Sequence, residues 1–267
     1  MNTPRLPTLF ISHGGGPWPY VEDMRKLFAK TEAGLQGIPG RLPCLPKAIL
    51  VVSGHWEEDE FTVATSAQPP MVYDYYGFPE HTYHIKYPAP GSPQLASGVR
   101  ELLTHSGITC HEDANRGFDH GMFVPLYLMY PQADVPVVML SMKSGYDPME
   151  HIRLGEALQP LRDEGVLIMG SGLTYHNLRK FGHQGAEASK QFEEWLYHAV
   201  SEPDAAIRAK LLNDWETAPS ARLAHPQEDH LIPLMVVAGA AGKSVGERIV
   251  MDQVWDVVMA SYWFLDK

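Results

Sequence analysis

Four short apolar runs constrain the fold of this chain more than any other feature of its sequence. They lie at residues 8–12, 48–53, 135–142 and 166–170. Each is rich in Val, Ile, Leu, Met or Phe, is bounded by glycine, proline or charged residues, and is short enough to be a strand. Strands that are apolar along their whole length occur in sheets covered on both faces, so the runs predict a buried, mainly parallel sheet. A further strand is predicted near residues 61–65.

Helical patterns lie between these strands. They are predicted at residues 93–106, 147–163, 188–200 and 230–241, and Ser92 is a suitable N-cap for the first of them. Residues 246–265 fit a helix or a strand, and periodicity does not decide between them. Since the chain shows no internal repeat, low-complexity tract or long linker, we expect a single α/β domain over residues 1–267. Its sheet is predicted to be mostly parallel or mixed and flanked by helices.

Composition limits the class of partner and the compartment. The net charge of -11 argues against a nucleic-acid partner, whose phosphates would be repelled. No run approaches the roughly 20 apolar residues that a membrane span needs, and residues 1–7 lack the pattern of a secretory signal. With two cysteines in the chain, we expect no disulfide framework and a reducing compartment. We therefore expect a cytoplasmic protein that acts on a small molecule.

An aromatic, proline-rich segment interrupts the pattern at residues 68–93. It contains Tyr73, Tyr75, Tyr76 and Phe78 within a short stretch, with further tyrosines and prolines after them. Aromatic loops of this kind often wall a ligand pocket. The segment fits equally well as a loop that simply packs on the core.

Histidines follow three of the predicted strands. His13 comes directly after the first, His55 follows the second and His176 follows the fourth. In open α/β sheets, ligands bind beyond the carboxyl ends of the strands. One histidine in such a place is usually structural, but three in the same context indicate a site. Imidazole binds Zn, Cu, Fe and Ni and also transfers protons near neutral pH, so the site is predicted to combine a metal with acid/base groups.

Two more histidines are candidates for this site. His120 lies between glycines in what reads as a tight loop ahead of an apolar segment, and His230 is predicted in the first turn of the last buried helix. The remaining histidines considered are interpreted as surface or structural residues, with the first two as possible pocket contacts: His81, His84, His105, His111, His151, His183 and His198.

Several familiar motifs are absent. The run Gly14-Gly15-Gly16 is followed by Pro17 and does not continue as a dinucleotide or phosphate-binding loop. Neither the HExxH pattern of zinc proteases nor the GxSxG pattern of serine hydrolases occurs. The chemistry therefore has to come from the dispersed histidines.

The order of the histidine segments resembles that of the class III extradiol ring-cleavage dioxygenases, the LigB superfamily, and in particular its DOPA 4,5-dioxygenase branch. The resemblance covers nearly the whole chain. It is carried by Ser12-His13-Gly14, Ser53-Gly54-His55-Trp56, Gly77-Phe78-Pro79 with Tyr87-Pro88-Ala89-Pro90-Gly91, Gly117-Phe118-Asp119-His120-Gly121, Gly170-Ser171-Gly172 with His176-Asn177-Leu178, and His225-Pro226 with Glu228-Asp229-His230.

The resemblance implies a non-haem Fe(II) enzyme that opens a catechol ring, such as that of DOPA or caffeate, with O2. It implies that His13, His55 and His230 are metal ligands. His176 corresponds to a base for the catechol that can also coordinate the metal, and His120 to a second acid/base group. Most of the wider superfamily has a glutamate where this chain has His230, and three histidines also suit Zn(II).

Two other functions remain compatible with the sequence. A zinc hydrolase could use the same histidines to activate water. A non-catalytic metal-binding or partner-binding protein could share the scaffold, because fold does not determine function. The presence of both His120 and His176 favours an enzyme, since a binding protein does not need two proton carriers.

Overall fold

The computed structural model describes residues 4–266 and contains one eight-stranded mixed sheet. The order of the strands is β4-β3-β5-β2-β6-β1-β8-β7. The strands are β1 Thr8–Ser12, β2 Ala48–Glu58, β3 Thr62–Ala64, β4 His111–Asp113, β5 Val137–Lys143, β6 Val166–Gly172, β7 Val245–Val254 and β8 Val257–Leu265. The predicted α/β class with a mostly parallel or mixed sheet is confirmed.

The four central strands, β5, β2, β6 and β1, are all parallel to one another. They correspond to the four apolar runs, and most of their residues are buried. Because they are parallel, their carboxyl ends lie at one edge of the sheet. The flanking pairs β1–β8, β7–β8 and β3–β5 are antiparallel.

Helices cover both faces of the sheet. They are α1 Glu22–Leu27, α2 Ala29–Gly37, α3 Pro93–His105, α4 His120–Met129, α5 Pro148–Leu158, α6 Pro160–Asp163, α7 Ala186–Ser201, α8 Ala205–Asn213, α9 Ala221–Ala224 and α10 Ile232–Ala241. Within the described range, none of them is long and apolar enough to cross a membrane. The interpretation of residues 1–7 rests partly on positions 1–3, which lie outside that range.

Strand β6 shows how the two faces differ. Gly170 and Gly172 point toward α10 and the turn before it, and a Cβ on Gly172 would collide with the carbonyl oxygen of His230. Ser171 points to the opposite face, where its hydroxyl donates a hydrogen bond to the carbonyl oxygen of Gly121 in α4. The absence of side chains at the two glycines thus lets the chain before α10 lie directly on the sheet edge.

Two predicted boundaries are wrong. Strand β2 does not end at Ser53 but continues to Glu58, with a register shift against β5 between Val52 and Glu57. The apolar run ends earlier because the strand emerges into solvent, where Glu57 and Glu58 are exposed. The predicted helix at 147–163 is divided into α5 and α6, because Pro160 cannot donate the backbone hydrogen bond that a continuous helix needs.

Two further segments differ from expectation in their local structure. His230 precedes α10 by two residues instead of lying in its first turn, and His120 is the first residue of α4 instead of part of a loop. Asp119 caps α4 by accepting a hydrogen bond from the backbone N–H of Met122. The undecided segment at 246–265 forms the β7–β8 hairpin.

Candidate metal centre

Five histidines meet at the carboxyl edge of the central strands. His13 directly follows β1, and His55 lies in the irregular part of β2. His176 follows β6, His230 lies in the turn before α10, and His120 begins α4. The ring centroid of His55 lies 5.0 Å from that of His13, 4.7 Å from that of His230 and 4.0 Å from that of His120. The fold therefore brings together all five predicted site residues.

Ser171 contacts the Nδ1 atom of His13, whose Nε2 atom faces His55. Nδ1 of His13 lies 3.0 Å from the Ser171 hydroxyl, which donates its own proton to the Gly121 carbonyl. The hydroxyl oxygen can therefore only accept from the imidazole, so Nδ1 carries the ring proton. The Nε2 atom of neutral His13 is left with a free lone pair.

We call His13, His55 and His230 the inner histidines. Carboxylates fix His55 and His230 in the same tautomer as His13. Nδ1 of His230 donates to Oδ2 of Asp229 across 2.7 Å. Nδ1 of His55 faces Oδ2 of Asp74 at 3.3 Å. Since an ionised carboxylate only accepts hydrogen bonds, Nδ1 carries the proton in both rings and Nε2 is again a free lone pair.

These three lone pairs converge on one point. Nε2 of His55 lies 3.1 Å from Nε2 of His13 and 3.2 Å from Nε2 of His230. No proton is available between them in the tautomers just assigned, so the three nitrogens repel one another unless a cation lies between them. Two nitrogens about 2.1 Å from one ion, with angles of about 90° to 110°, are roughly 3.0 to 3.4 Å apart. The donor set fits a metal ion, and three protein ligands leave positions for further ligands.

Burial keeps the inner histidines neutral. It lowers the pKa of His13 and of His55 well below the usual value near 6.5, and the other histidines nearby lower both further. It lowers the pKa of His230 to about 4, although Asp229 opposes the shift. Metal binding requires neutral imidazole, so at neutral pH these three rings are already in the form that coordinates.

The other two histidines of the cluster, His120 and His176, are the outer histidines. They contact the same two carboxylates. Oδ1 of Asp74 accepts a hydrogen bond from Nδ1 of His120 at 2.9 Å and another from its backbone N–H at 3.1 Å. Nδ1 of His176 lies 3.5 Å from Oδ1 of Asp229, a charge contact longer than a hydrogen bond. Each carboxylate therefore connects one inner histidine to one outer histidine.

The pKa values of both carboxyl groups agree with this arrangement. Burial alone would raise the pKa of Asp74, but its hydrogen bonds with His120 outweigh burial and lower it. Burial would likewise raise the pKa of Asp229, but His176 and His230 hold it well below its usual range. Both groups are ionised at neutral pH, as the tautomer assignment requires.

The outer histidines lie against the inner ones and face solvent to different degrees. His176 stacks on His230 with ring centroids 3.5 Å apart, and its side chain is 18% exposed. His55 is 20% exposed, whereas His13 and His230 are buried. The open side of the cluster therefore lies at His55 and His176, and a small molecule would approach from there.

Three residues of this site were not identified from the sequence: Asp74, Asp229 as a site residue, and Ser171. Asp74 lies in the aromatic segment at 68–93, between Tyr73 and Tyr75. That segment packs on the core through Tyr75, Ile85 and Tyr87, which are buried. Its own shape is held by hydrogen bonds from the hydroxyl groups of Tyr73 and Tyr75 to backbone carbonyl oxygens within it. It also brings Asp74 to the histidine cluster, where the carboxylate contacts His120 and His55.

The other histidines lie apart from the cluster. His81 contacts the backbone of Tyr20, and His84 pairs with Glu80 at the surface. His151 is buried and hydrogen-bonded to backbone groups. The remaining four, which the sequence analysis interpreted as surface or structural residues, are exposed: His105, His111, His183 and His198.

Comparison with known proteins identifies the family. The family model of the catalytic LigB subunit of aromatic ring-opening dioxygenase matches residues 7–260. A 4,5-DOPA dioxygenase extradiol of Beta vulgaris is 40% identical, over 96% of this chain and 94% of that protein. One of Escherichia coli strain K12 is 36% identical, over 90% and 87% of the two chains.

A solved structure shows the same fold. The crystal structure of an uncharacterized protein from Escherichia coli K12 superimposes with a TM-score of 0.78 and 31% identity, covering 98% of this chain and 100% of that one. The chain belongs to the LigB family of aromatic ring-opening dioxygenases, in the branch of the extradiol DOPA dioxygenases. It is accordingly an extradiol ring-opening enzyme of a metal-dependent family, and its histidine cluster could hold that metal.

Proposed function

We propose that this protein is an Fe(II)-dependent dioxygenase that cleaves a substituted catechol, of the DOPA or caffeate kind, with O2. The observation that carries the proposal is the convergence of the Nε2 lone pairs of His13, His55 and His230. Their Nδ1 atoms lie against the Ser171 hydroxyl, the Asp74 carboxylate and the Asp229 carboxylate, respectively. Bound Fe(II) would supply adjacent positions for the two catechol oxygens and for O2, and a redox-active centre between them.

His176 is proposed to take a proton from the catechol. It is partly exposed on the open side of the cluster and stacks on His230, so a bound diol can reach it. Asp229 beside its Nδ1 favours the tautomer with a proton there, which leaves Nε2 able to accept one. The same nitrogen can also serve as a fourth metal ligand before the substrate binds.

His120 is proposed to move the second proton. Its Nδ1 donates to Asp74, so its Nε2 is the available acceptor or, once protonated, the donor. His120 is buried next to His55, so its proton is shielded from bulk water. A positioned acid or base of this kind typically contributes about 10²- to 10⁴-fold to the rate.

The test is reconstitution without oxygen, followed by addition of substrate and O2. Protein freed of metal is loaded anaerobically with Fe(II) or with Zn(II) and mixed with a catechol panel. The expected result is a yellow ring-opened semialdehyde and one O2 consumed per ring with Fe(II), and no ring opening with Zn(II), which has no accessible redox change. Absence of turnover with every catechol, together with hydrolysis of an ester by the zinc form, would contradict the proposal.

A further inference from the structure

His225 is a buried histidine that the proposed chemistry does not use. Its ring packs against the rings of Phe192 and Trp215, at centroid distances of 5.1 and 6.1 Å, and is shielded from solvent. Nε2 of His225 lies 3.1 Å from the carbonyl oxygen of Thr174. Because a carbonyl oxygen only accepts hydrogen bonds, Nε2 carries the ring proton and Nδ1 is a lone pair. His225 therefore donates a hydrogen bond while its ring packs on two aromatic side chains.

Packing alone does not account for a histidine at this position. Nδ1 of His225 is buried and has no hydrogen-bond partner among the residues that the structure describes. A buried acceptor without a partner is unfavourable, and a phenylalanine would present an aromatic ring without one. Burial also lowers the pKa of His225 to about 3, so the ring carries no charge at neutral pH. The property that distinguishes this histidine from a phenylalanine is the donor at Nε2, which acts on Thr174.

The carbonyl group of Thr174 belongs to the segment that carries His176. This segment, residues 173–177, follows β6, and Thr174 is fully buried in it. The hydroxyl of Thr174 accepts a hydrogen bond from the backbone N–H of Ala260 in β8 across 3.1 Å. Thr174 is therefore held by β8 through its hydroxyl and by His225 through its carbonyl oxygen, two residues before His176.

The end of α9 holds the remainder of the same segment. The backbone N–H of His176 donates to the carbonyl oxygen of Ala224 across 2.9 Å. The side-chain amide of Asn177 donates to the carbonyl oxygen of Leu223, also across 2.9 Å. Carbonyl groups at a helix end lack partners within the helix, so they are available as acceptors. His225 directly follows Ala224, and its side chain adds a third hydrogen bond between the two parts of the chain.

The position of the His176 ring depends on this attachment. The chain continues from His225 to Asp229 and His230, and the His176 ring contacts both of the latter. Its centroid lies 3.5 Å from that of His230, and its Nδ1 lies 3.5 Å from Oδ1 of Asp229. We infer that His225 is a positioning residue, which holds residues 173–177 in place so that the imidazole of His176 faces the open side of the histidine cluster. The inference rests on the proposed function, in which His176 is the base.

The position of the ring can be tested without turnover. Diethyl pyrocarbonate acylates accessible neutral imidazole, and peptide mass spectrometry gives the modification rate of each histidine. In the metal-free protein we expect His225→Phe to raise the rate at His176 by about threefold or more, because the segment opens more often without the donor. His225→Gln, whose amide can still donate to the Thr174 carbonyl, should stay close to the parent rate.

His151→Phe is the matched control, since His151 is equally buried and is bonded to backbone groups away from the cluster. It should leave the rate at His176 unchanged, and the exposed His84 should react at the same rate in every variant. An unchanged rate at His176 in His225→Phe, or an equal rise in His225→Gln, would overturn the inference. An equal rise at His151 in His225→Phe would also overturn it, because the whole fold would then be looser.

Turnover provides a second test on the Fe(II)-loaded enzyme. We expect His225→Phe to keep stoichiometric metal and a KM near that of the parent, but to lower kcat by about tenfold or more. In the His176→Ala background, His225→Phe should lower kcat no further, because the residue that it positions is absent. A further loss of similar size there would overturn the inference. Failure of every catechol with the parent enzyme would instead count against the proposed function, and the modification rates would still decide the role of His225.

Discussion

The hydroxyl of Ser171 accepts a hydrogen bond from Nδ1 of His13 across 3.0 Å, and this contact fixes which nitrogen of the ring faces the metal centre. We expect Ser171→Ala to weaken metal binding by about 10- to 100-fold, the range typical for loss of such an outer contact. Competition with a chelator measures the affinity. Ser97→Ala, at an exposed helical serine, is the control, and unchanged affinity in Ser171→Ala would contradict the tautomer assignment.

The proposed metal ligands and the proton-transfer residues should separate on substitution. His13→Ala, His55→Ala and His230→Ala each remove one of three converging nitrogens, so we expect loss of stoichiometric metal binding. His120→Ala should keep the metal and lower kcat by roughly 10²- to 10⁴-fold. Metal content of the purified variants and steady-state rates distinguish the two groups.

The surface variant His84→Ala is the control for these measurements, because His84 is exposed and pairs with Glu80, away from the histidine cluster. Loss of metal from His120→Ala would show that its role is coordination and not proton transfer.

The Asp74 carboxylate contacts one proposed metal ligand, His55, and one proposed proton carrier, His120, so we expect its substitution to affect metal binding or proton transfer. It accepts from the imidazole of His120 and faces that of His55, and both contacts need an acceptor oxygen. In Asp74→Asn one of these oxygens becomes an NH2 donor, so one of the two rings must change its tautomer. We expect weaker metal binding by about 10- to 100-fold, or, where the metal keeps His55 in place, a lower kcat.

Asp229→Asn tests the equivalent carboxylate between His230 and His176 and should have effects of the same kind. Asp23→Asn, at a side chain that is 96% exposed, is the control. If both metal affinity and kcat stay unchanged in Asp74→Asn, the carboxylate has no role in holding the two rings.

The buried His151 should make the free energy of unfolding depend on pH. Burial lowers its pKa to about 4 from a usual value near 6.5. Its Nε2 accepts a hydrogen bond from the backbone N–H of Lys143, which protonation would break. Between these pH values the unfolded chain holds a proton that the folded chain lacks. Stability is therefore constant above about pH 6.5 and falls as the pH is lowered toward 4, by up to about 3 kcal/mol from this residue.

Urea unfolding of the metal-free protein at pH 7 and pH 5 measures this effect. His151→Phe should be less stable at pH 7, because the Lys143 N–H loses its partner, but should lose less stability between the two pH values. Other buried histidines, such as His225, leave part of the dependence in place. An unaltered difference between pH 7 and pH 5 in His151→Phe would contradict the assignment, and the exposed His84→Gln should behave like the parent protein.

The sequence determined the four central strands of the sheet and pointed to the five histidines that meet at its edge. The runs at 8–12, 48–53, 135–142 and 166–170 are apolar because parallel strands covered on both faces have no polar side, and this signal is local. Histidines placed after such strands have to meet at one edge, since the carboxyl ends of parallel strands lie together. His120 and His230 were candidates from their own sequence context, and the LigB resemblance implied their roles.

Only the tertiary structure decided which contacts give those histidines their chemistry. Asp74 comes from an irregular segment without periodicity, and Ser171 is a small residue on the face of β6 opposite its glycine neighbours, so neither shows a local signal. Their effect depends on hydrogen bonds to His120 and His13, partners that are distant in the sequence. Composition and spacing reveal which residues can bind a metal, but the position of each ring proton depends on the atom that folding places next to it.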